Sequence, residues 1–400
     1  MPLRILYLSP RQSWPPRSGA RLRDYHLARA LGLHAEVTYL YFAEADAPAD
    51  TKEHLSFCRK VVAVPKPDFY TPAKLIRGAI GRQPLSVVNY TSAAMMDALS
   101  KVLEGPEFDL VHLDSIHMFN YVARLRPAER ARVVYDWHNI ESEIMFRFGK
   151  NVASVPKKLY ATLTAKRLAA MELDILRNAF GHVVCSPREK EQLLVLTPKA
   201  RIEVIGNGVE VDAFSPAASD AKRNRILFVG SMAYHANIEG AVWFVQKIWP
   251  EIQQRYPEWR LTLVGSDPAP AVLELRKVPN VEVTGTVPDV KPYYQEALAA
   301  IVPLLVGGGT RLKILEAMAA GVPVVSTALG AEGLEVANGE NILIAANDQD
   351  WMRHLSSLTG PLRQSLTAAG RALVRKQYDW NAIGQELYQT YVRWLAGVNR

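Results

Sequence analysis

Short, continuous runs of β-branched and aliphatic residues recur along this chain, each followed by a polar or glycine-bearing loop and, in most cases, an amphipathic helical pattern. The opening run "LRILYLSP", the loop "RQSWPPRSGA" and the pattern "RLRDYHLARALGL" form the first such unit. A strand with one wet face alternates polar and apolar residues, whereas a continuous apolar strand is buried on both faces and needs helices on each side of a parallel sheet. "AEVTYLYF" and the runs Asp109 to Leu113, Arg132 to Trp137, Gly181 to Ser186 and Ile202 to Asn207 carry this pattern through the first half.

A chain of 400 residues exceeds what one hydrophobic core organises. The polar stretch Pro216 to Asn224 has no apolar periodicity and precedes a new strong strand, "RILFVGS". We therefore expect one α/β domain over residues 1–215 and a second over 216–376. The second has helices at Asn237 to Tyr256, Val290 to Leu298 and Arg311 to Ala320 between strands "RLTLVG", "VEVTG", "AAIVPL" and "VPVVST". Residues 377–400 form a final helix whose stripe of Trp380, Ile383, Leu387, Tyr391 and Trp394 needs a partner, on its own domain or on the first.

Charge narrows the function classes without choosing one. The net charge of +7 suits nucleic acid, an anionic membrane or anionic small molecules, but no finger, RNP-like signature or basic arm accompanies it, so nucleic acid is not expected. Cys58 and Cys185 form no metal-type spacing, and no apolar run reaches the roughly 20 residues of a membrane span. A cytoplasmic location is expected, with peripheral contact to the inner face of a membrane as the variant reading. That contact would use "TPAKLIRGAIGRQPL", in which Lys74, Arg77 and Arg82 mix with Leu75, Ile76 and Ile80. The plain alternative is a solvated amphipathic helix.

The densest chemical signal is "VPLLVGGGTRLKILEAMAAGVPVVST". A strand ends in Gly307, Gly308 and Gly309, which let a backbone approach a diphosphate closely, and Thr310 is placed to cap the helix that follows. Arg311 and Lys313 fall in the first turn, where the helix dipole disfavours cations, so an anion is expected there. Arginine would serve it as a planar fork and lysine as a point charge.

The segment from Gly307 to Thr327, with "GAEGL" after it, "RILFVGS" ahead of it and "VIGNGVEVDAFSP" between the halves, resembles the retaining GT-B glycosyltransferases of the family four (group 1) type. The resemblance implies two doubly wound Rossmann-like domains facing across a cleft. It implies transfer of a hexose, with retention, from a nucleoside diphosphate sugar to an acceptor hydroxyl of a saccharide or lipid-linked sugar in polysaccharide or glycolipid assembly, with no cofactor or metal. By position it gives Glu316 the ribose hydroxyls, Gly230 and Ser231 a close-approach loop, and Val287 in "GTVPD" a backbone contact to the base. Leu312 belongs to the donor loop with Gly307 to Thr310. Gly308 stands where relatives carry a sugar-contacting glutamate, and the arginine and lysine usual after the "RILFVGS" strand are replaced by Ser231 to His235. Arg311 and Lys313 are expected to take over their task.

In the first domain the resemblance assigns Gly19 to a loop near the reaction centre and implies a histidine facing the donor sugar in the loop that carries Asp114 and His117, either of which could hold that place. His138, with Asp136, Asn139 and Glu141, stands at the next strand's end, where several subgroups show a similar "HN.E" pattern. Arg21 and Arg23 could meet an anionic acceptor or solvent. His112, inside its strand, reads as a buried, satisfied histidine. Asp136, His138 and Glu141 match no spacing of metal ligands, and no nucleophile elbow is present. Two rivals share the architecture: a nucleotide-sugar epimerase, and a non-catalytic nucleotide-sugar-binding protein, for which Gly308 is the motive.

Overall fold

A computed structural model describes residues 2–16, 18–152, 154–214, 223–306, 311–358 and 360–397. The chain divides into two compact units, Met1–Gly206 with Ile383–Arg400, and Asn207–Ala382. The division falls ahead of residue 216. Residues 207–214 pack within the second unit: Val209 N donates to Tyr378 O at 2.8 Å, and the Phe214 ring meets Tyr294 edge-on at 5.9 Å.

The first unit is built on seven parallel strands: β1 (Arg4–Ser9), β2 (Glu36–Ala43), β3 (Lys60–Pro65), β4 (Leu110–Asp114), β5 (Val133–Trp137), β6 (Gly181–Val184) and β7 (Ile202–Val204). Their order is β3-β2-β1-β4-β5-β6-β7. Strand order reverses between β1 and β4, so connections leaving their carboxyl ends part to opposite faces and leave a crevice. Every residue of β4 and β5 is buried, as continuous apolar strands require. Strand β3, at the sheet edge and largely unburied, is absent from the sequence expectation. Four helices matter below: α1 (Gly19–Gly32), α2 (Pro72–Ile80), α3 (Glu141–Asn151) and α4 (Val155–Asn178). Ser18 Oγ caps α1, accepting from Arg21 N at 3.4 Å, and Thr71 caps α2 with Pro72 in the first turn, where its missing N–H costs nothing.

The second unit repeats the plan with β8 (Arg225–Val229), β9 (Arg260–Val264), β10 (Val281–Gly285), β11 (Ala297–Val302), β12 (Val324–Ser326) and β13 (Leu343–Ile344), in the order β10-β9-β8-β11-β12-β13. Here the reversal lies between β8 and β11. Helix α5 (His235–Trp243) runs on through a π-helical turn, Phe244–Ile248, into Trp249–Arg255. Pro250, which cannot donate to the helical ladder, sits just past that irregularity. The helix expected over Val290 to Leu298 is shortened to Lys291–Gln295, because Ala297–Val302 is a fully buried central strand whose tertiary setting overrides alanine's helical preference. Helix α6 (Leu312–Ala319) begins one residue later than expected, with Arg311 rather than Thr310 at the N-cap position and no side-chain cap.

The last helix, α7 (Trp380–Ala396), buries its stripe in the first unit from Ile383 onward. A Cβ on Gly384 would lie 1.9 Å from Ala30 Cβ, so only glycine permits this contact with α1. Tyr391 Oη is 2.5 Å from His112 Nδ1, and the Trp394 ring covers Gly181.

Candidate functional site

In the second unit the carboxyl end of β8 turns at Gly230 and Ser231 into α5, while α6 starts beside it. Lys313, in the first turn of α6, reaches across to this loop: its Nζ donates to Asn237 Oδ1 at 2.6 Å, and Asn237 Nδ2 donates to Ser231 O at 2.8 Å. The ammonium also lies 4.7 Å from the centre of the Phe228 ring. A Cβ added at Gly230 would stand 2.7 Å from Asn237 Nδ2 and 2.9 Å from Lys313 Nζ, so the absent side chain is what admits the lysine.

One turn along α6, Glu316 accepts a hydrogen bond from the buried Tyr294 hydroxyl at 3.1 Å. Burial lowers the Lys313 pKa to about 7, with Arg311 adding to the fall and Glu316 opposing it. Burial likewise raises Glu316 to about 7 against the pull of Tyr294 and Lys313. The two groups thus stand near the point where each gains or loses its proton at neutral pH. Arg311, 4% exposed, donates from Nη2 to Leu329 O at 3.1 Å.

These residues surround a cavity of about 320 Å³ whose lining includes Gly230, Ser231, Tyr234, Asn237, Arg311, Leu312, Lys313 and Glu316. Six of them were named from sequence as donor-binding or phosphate-binding. Asn237 and Tyr294, which orient Lys313 and Glu316, were not. Asparagine in the first turn of a helix tends to use its amide on nearby backbone, as Asn237 does with Ser231 O, and that signal could have found it. Val290 rather than Val287 lines the cavity, while Val287 packs on the edge of the core. Gly307, Gly308, Gly309 and Thr310 lie outside the described residues.

In the first unit, Ser9 and Asp114 end β1 and β4, Asp136 is the penultimate residue of β5, and α1 turns Arg23 and Asp24 towards them. Two separate networks result. Arg23, fully buried, donates from Nε and Nη2 to Asp136 at 2.8–3.0 Å and from Nη1 to Ile205 O at 2.7 Å and Gly206 O at 3.0 Å. Neither the acceptor-contacting nor the solvated role expected for Arg23 fits a guanidinium enclosed in this way. Arg21 pairs with Glu44 at 2.6 Å, and Gly19 is the first residue of α1.

The second network joins His138 Nε2 to Asp114 Oδ1 at 2.5 Å and to Asp24 Oδ1 at 3.3 Å, while Arg11 Nη1 lies 3.1 Å from Asp24 and 3.2 Å from Asp114. Burial works against a charged His138, but Asp114 and Asp24 overcome it and raise its pKa to about 10. Burial also opposes ionisation of Asp114, yet Arg11 and His138 hold it well below the usual carboxylate range. Asp24, Asp114 and His138 have ligand atoms within 4.8 Å of one another, as a metal site would need. In this arrangement Arg11 and protonated His138 supply the positive charge there.

His117 stands apart from that network. Its Nδ1 is 2.5 Å from Ser115 Oγ, its ring is 4.7 Å from that of Tyr90, and burial together with Arg11 lowers its pKa to about 4. It is a neutral imidazole at pH 7, able to donate or accept but not to carry charge. Of the three first-domain residues named from sequence, the fold joins Asp114 and His138 and keeps His117 separate.

Comparisons with known proteins bear on both units. Residues 18–208 match the family model "Glycosyl transferase 4-like domain", and residues 223–359 match "Glycosyl transferases group 1". An uncharacterized 44.6 kDa protein of the cps region of Klebsiella pneumoniae is 26% identical over 180 residues, covering 42% of this chain and 46% of that protein. The D-inositol 3-phosphate glycosyltransferase of Streptosporangium roseum is 24% identical over 254 residues, 57% of this chain and 58% of that one. The chain thus spans about half the length of the curated relatives it matches. Among solved structures, sucrose-phosphate synthase from Thermosynechococcus elongatus superposes with a TM-score of 0.71 at 20% identity, over 98% of this chain and all of that one. Anabaena HepE in complex with UDP and glucose gives 0.64 at 15% identity, over 98% of this chain and 99% of that one. Both likenesses establish the two-domain GT-B architecture.

Proposed function

Since the chain belongs to the group 1 glycosyltransferases, we propose that its second unit binds a nucleoside diphosphate sugar and that the protein transfers the hexosyl group, with retention, to a hydroxyl of a saccharide or lipid-linked acceptor. The observation that carries this reading is Lys313 delivered to the Gly230–Ser231 loop beside Glu316 in one cavity. A lysine ammonium, a loop kept free of a side chain at Gly230 and the N-terminus of α6 converge on one spot, which is the equipment for a diphosphate. Glu316, held by Tyr294, presents a carboxylate suited to two neighbouring hydroxyls of a ribose.

In the transfer step the bond between the anomeric carbon and the diphosphate oxygen breaks, the acceptor oxygen bonds to that carbon, and negative charge grows on the departing diphosphate, which takes up the acceptor's proton. Lys313, Arg311 and the α6 dipole would stabilise that charge, and preorganised groups do so without reorganisation in the transition state. Neutral His117 suits a hydrogen bond to a sugar hydroxyl. His138 and Asp114, locked in their own ion cluster, act as a fixed electrostatic frame. Retention is carried over from the family resemblance.

The test is calorimetry of the purified protein with UDP, GDP and ADP, with an Arg311→Ala, Lys313→Ala variant alongside. Binding of one nucleotide, lost in the variant, is expected; equal binding by parent and variant would remove the phosphate site from this position. Proton NMR of the product's anomeric centre then reads retention directly.

A further inference from the structure

Independently of the donor cavity, the first unit carries a surface that its own core does not use. Helix α4 projects at its N-terminus: every residue from Ser154 to Tyr160 is exposed. Val155 (76% exposed), Leu159 (61%) and Leu163 (48%) follow one another at four-residue spacing along one stripe. Helix α3 packs antiparallel to α4, Gly149 facing Ala161, and adds Phe148 to the exposed apolar set. Helix α2 joins this surface, because Arg167 of α4 donates to Gly78 O and to Ala79 O at 3.0 Å or less, next to Ile80, which is 83% exposed. More than half of the large exposed hydrophobic side chains among the described residues lie on these three helices. Scattered singly such residues mean little, but a cluster on neighbouring elements marks a contact surface.

Charge selects the occupant. From Asn151 through Met171 the chain has Lys157, Lys158, Lys166 and Arg167 and no acidic residue; from Thr71 through Met96 it has Lys74, Arg77 and Arg82 and none. Glu143 of α3 is neutralised by Arg147 and Arg188. Lys74 is turned inward, donating to Asp68 O and Asn89 O, so it belongs to the fold rather than to the surface. A second copy of this chain would set cation against cation, and a soluble partner groove leaves the uniform basic flank unexplained. A bilayer rich in anionic headgroups answers both features, taking apolar side chains at the acyl boundary and lysines among the phosphates. Among the described residues no helix is long and apolar enough to cross a membrane, so the contact would be interfacial.

We infer that the α3–α4 hairpin, with the C-terminal end of α2, is a membrane-docking surface for anionic lipid bilayers. The test is sedimentation of the full chain with phosphatidylcholine vesicles, with and without phosphatidylglycerol, at low and high salt. The parent is expected to bind only the phosphatidylglycerol vesicles, and less as salt rises. Lys157→Gln, Lys158→Gln, Lys166→Gln should lower the partition by about tenfold or more. Val155→Ser, Leu159→Ser, Leu163→Ser should lower it comparably, with thermal midpoint and nucleotide affinity unchanged because all three positions are exposed. Parent-like partition in both variants would overturn the inference. So would a concentration-dependent dimer, seen by analytical ultracentrifugation, that the serine variant disperses. Neither readout depends on donor turnover, so a failure of the donor assignment would leave it standing.

Discussion

Lys313 Nζ and Asn237 Oδ1, contributed by the first turns of two different helices, meet at 2.6 Å over the carboxyl end of β8. The contact exists because residue 230 has no side chain: a Cβ there would fall 2.9 Å from the ammonium and 2.7 Å from the Asn237 amide. Gly230→Ala should therefore push Lys313 and Asn237 off the loop while leaving the buried sheet intact. A charge-assisted hydrogen bond is worth roughly 1.5–3 kcal/mol, so UDP or GDP affinity should fall by about ten- to a hundredfold. Calorimetry checks the affinity and the thermal midpoint checks the fold; unchanged affinity would show that the Lys313 position does not matter to the nucleotide.

The same lysine predicts a pH profile. Lys313 titrates near 7 in the free protein, and a bound diphosphate favours its charged form, so affinity should fall as pH rises above about 7. Glu316 also titrates near 7, and ribose hydroxyls donate to the ionised carboxylate, so affinity should fall as pH drops below about 7. Nucleotide affinity is thus expected to be bell-shaped around neutrality. In Lys313→Met the alkaline fall should vanish and the acid fall remain. A variant that keeps both limbs would place the alkaline titration elsewhere.

Arg23 and Asp136 form a fully buried pair whose remaining donors are taken by Ile205 O and Gly206 O. Breaking such a pair strands a charge in low dielectric, at a cost of about 3–5 kcal/mol. Arg23→Met should lower unfolding stability by that amount, and Arg23→Met, Asp136→Leu should recover much of it. Urea denaturation followed by circular dichroism reads both. A double variant as damaged as the single one would show that the loss comes from the carbonyls of residues 205 and 206, not from the stranded carboxylate.

How much of this was legible in the sequence follows from the range of the forces involved. Burial on both faces of a strand is written into local composition, so β1, β4, β5 and β8 could be read directly, while β3, an edge strand with a half-wet pattern, could not. The cations that open α6 were legible because Arg311 and Lys313 stand two residues apart in the chain. Asn237 and Tyr294 lie 76 and 22 residues from the side chains they hold, and only packing brings them there. Arg23 was misread for the same reason: its partner Asp136 is 113 residues away, and an amphipathic pattern does not say which arginine turns inward. The exposed stripe of α4 was missed because periodicity marks an apolar face but not whether the fold covers it.

The ion cluster at the carboxyl ends of β1 and β4 gives the last prediction. His138 is raised to about 10 from an ordinary 6.5, so its contribution to stability is complete below pH 6.5 and disappears as pH rises towards 10. Asp114, held low by Arg11 and His138, contributes above the ordinary carboxylate range and loses that contribution only as pH falls. Asp24 runs opposite to Asp114, since burial and the Asp114 charge raise it, and its contribution, like that of His138, is lost as pH rises, so the comparison must be made with a His138 variant that keeps Asp24. Replacing the imidazolium in His138→Gln leaves Arg11 alone between two buried carboxylates, which should cost about 3–5 kcal/mol near pH 6. The gap in thermal midpoint between parent and variant should then narrow steadily from pH 6.5 to pH 10, because the parent loses over that interval what the variant never had. Parallel curves across the interval would mean that His138 is uncharged in the folded protein and that Arg11 alone balances the two carboxylates.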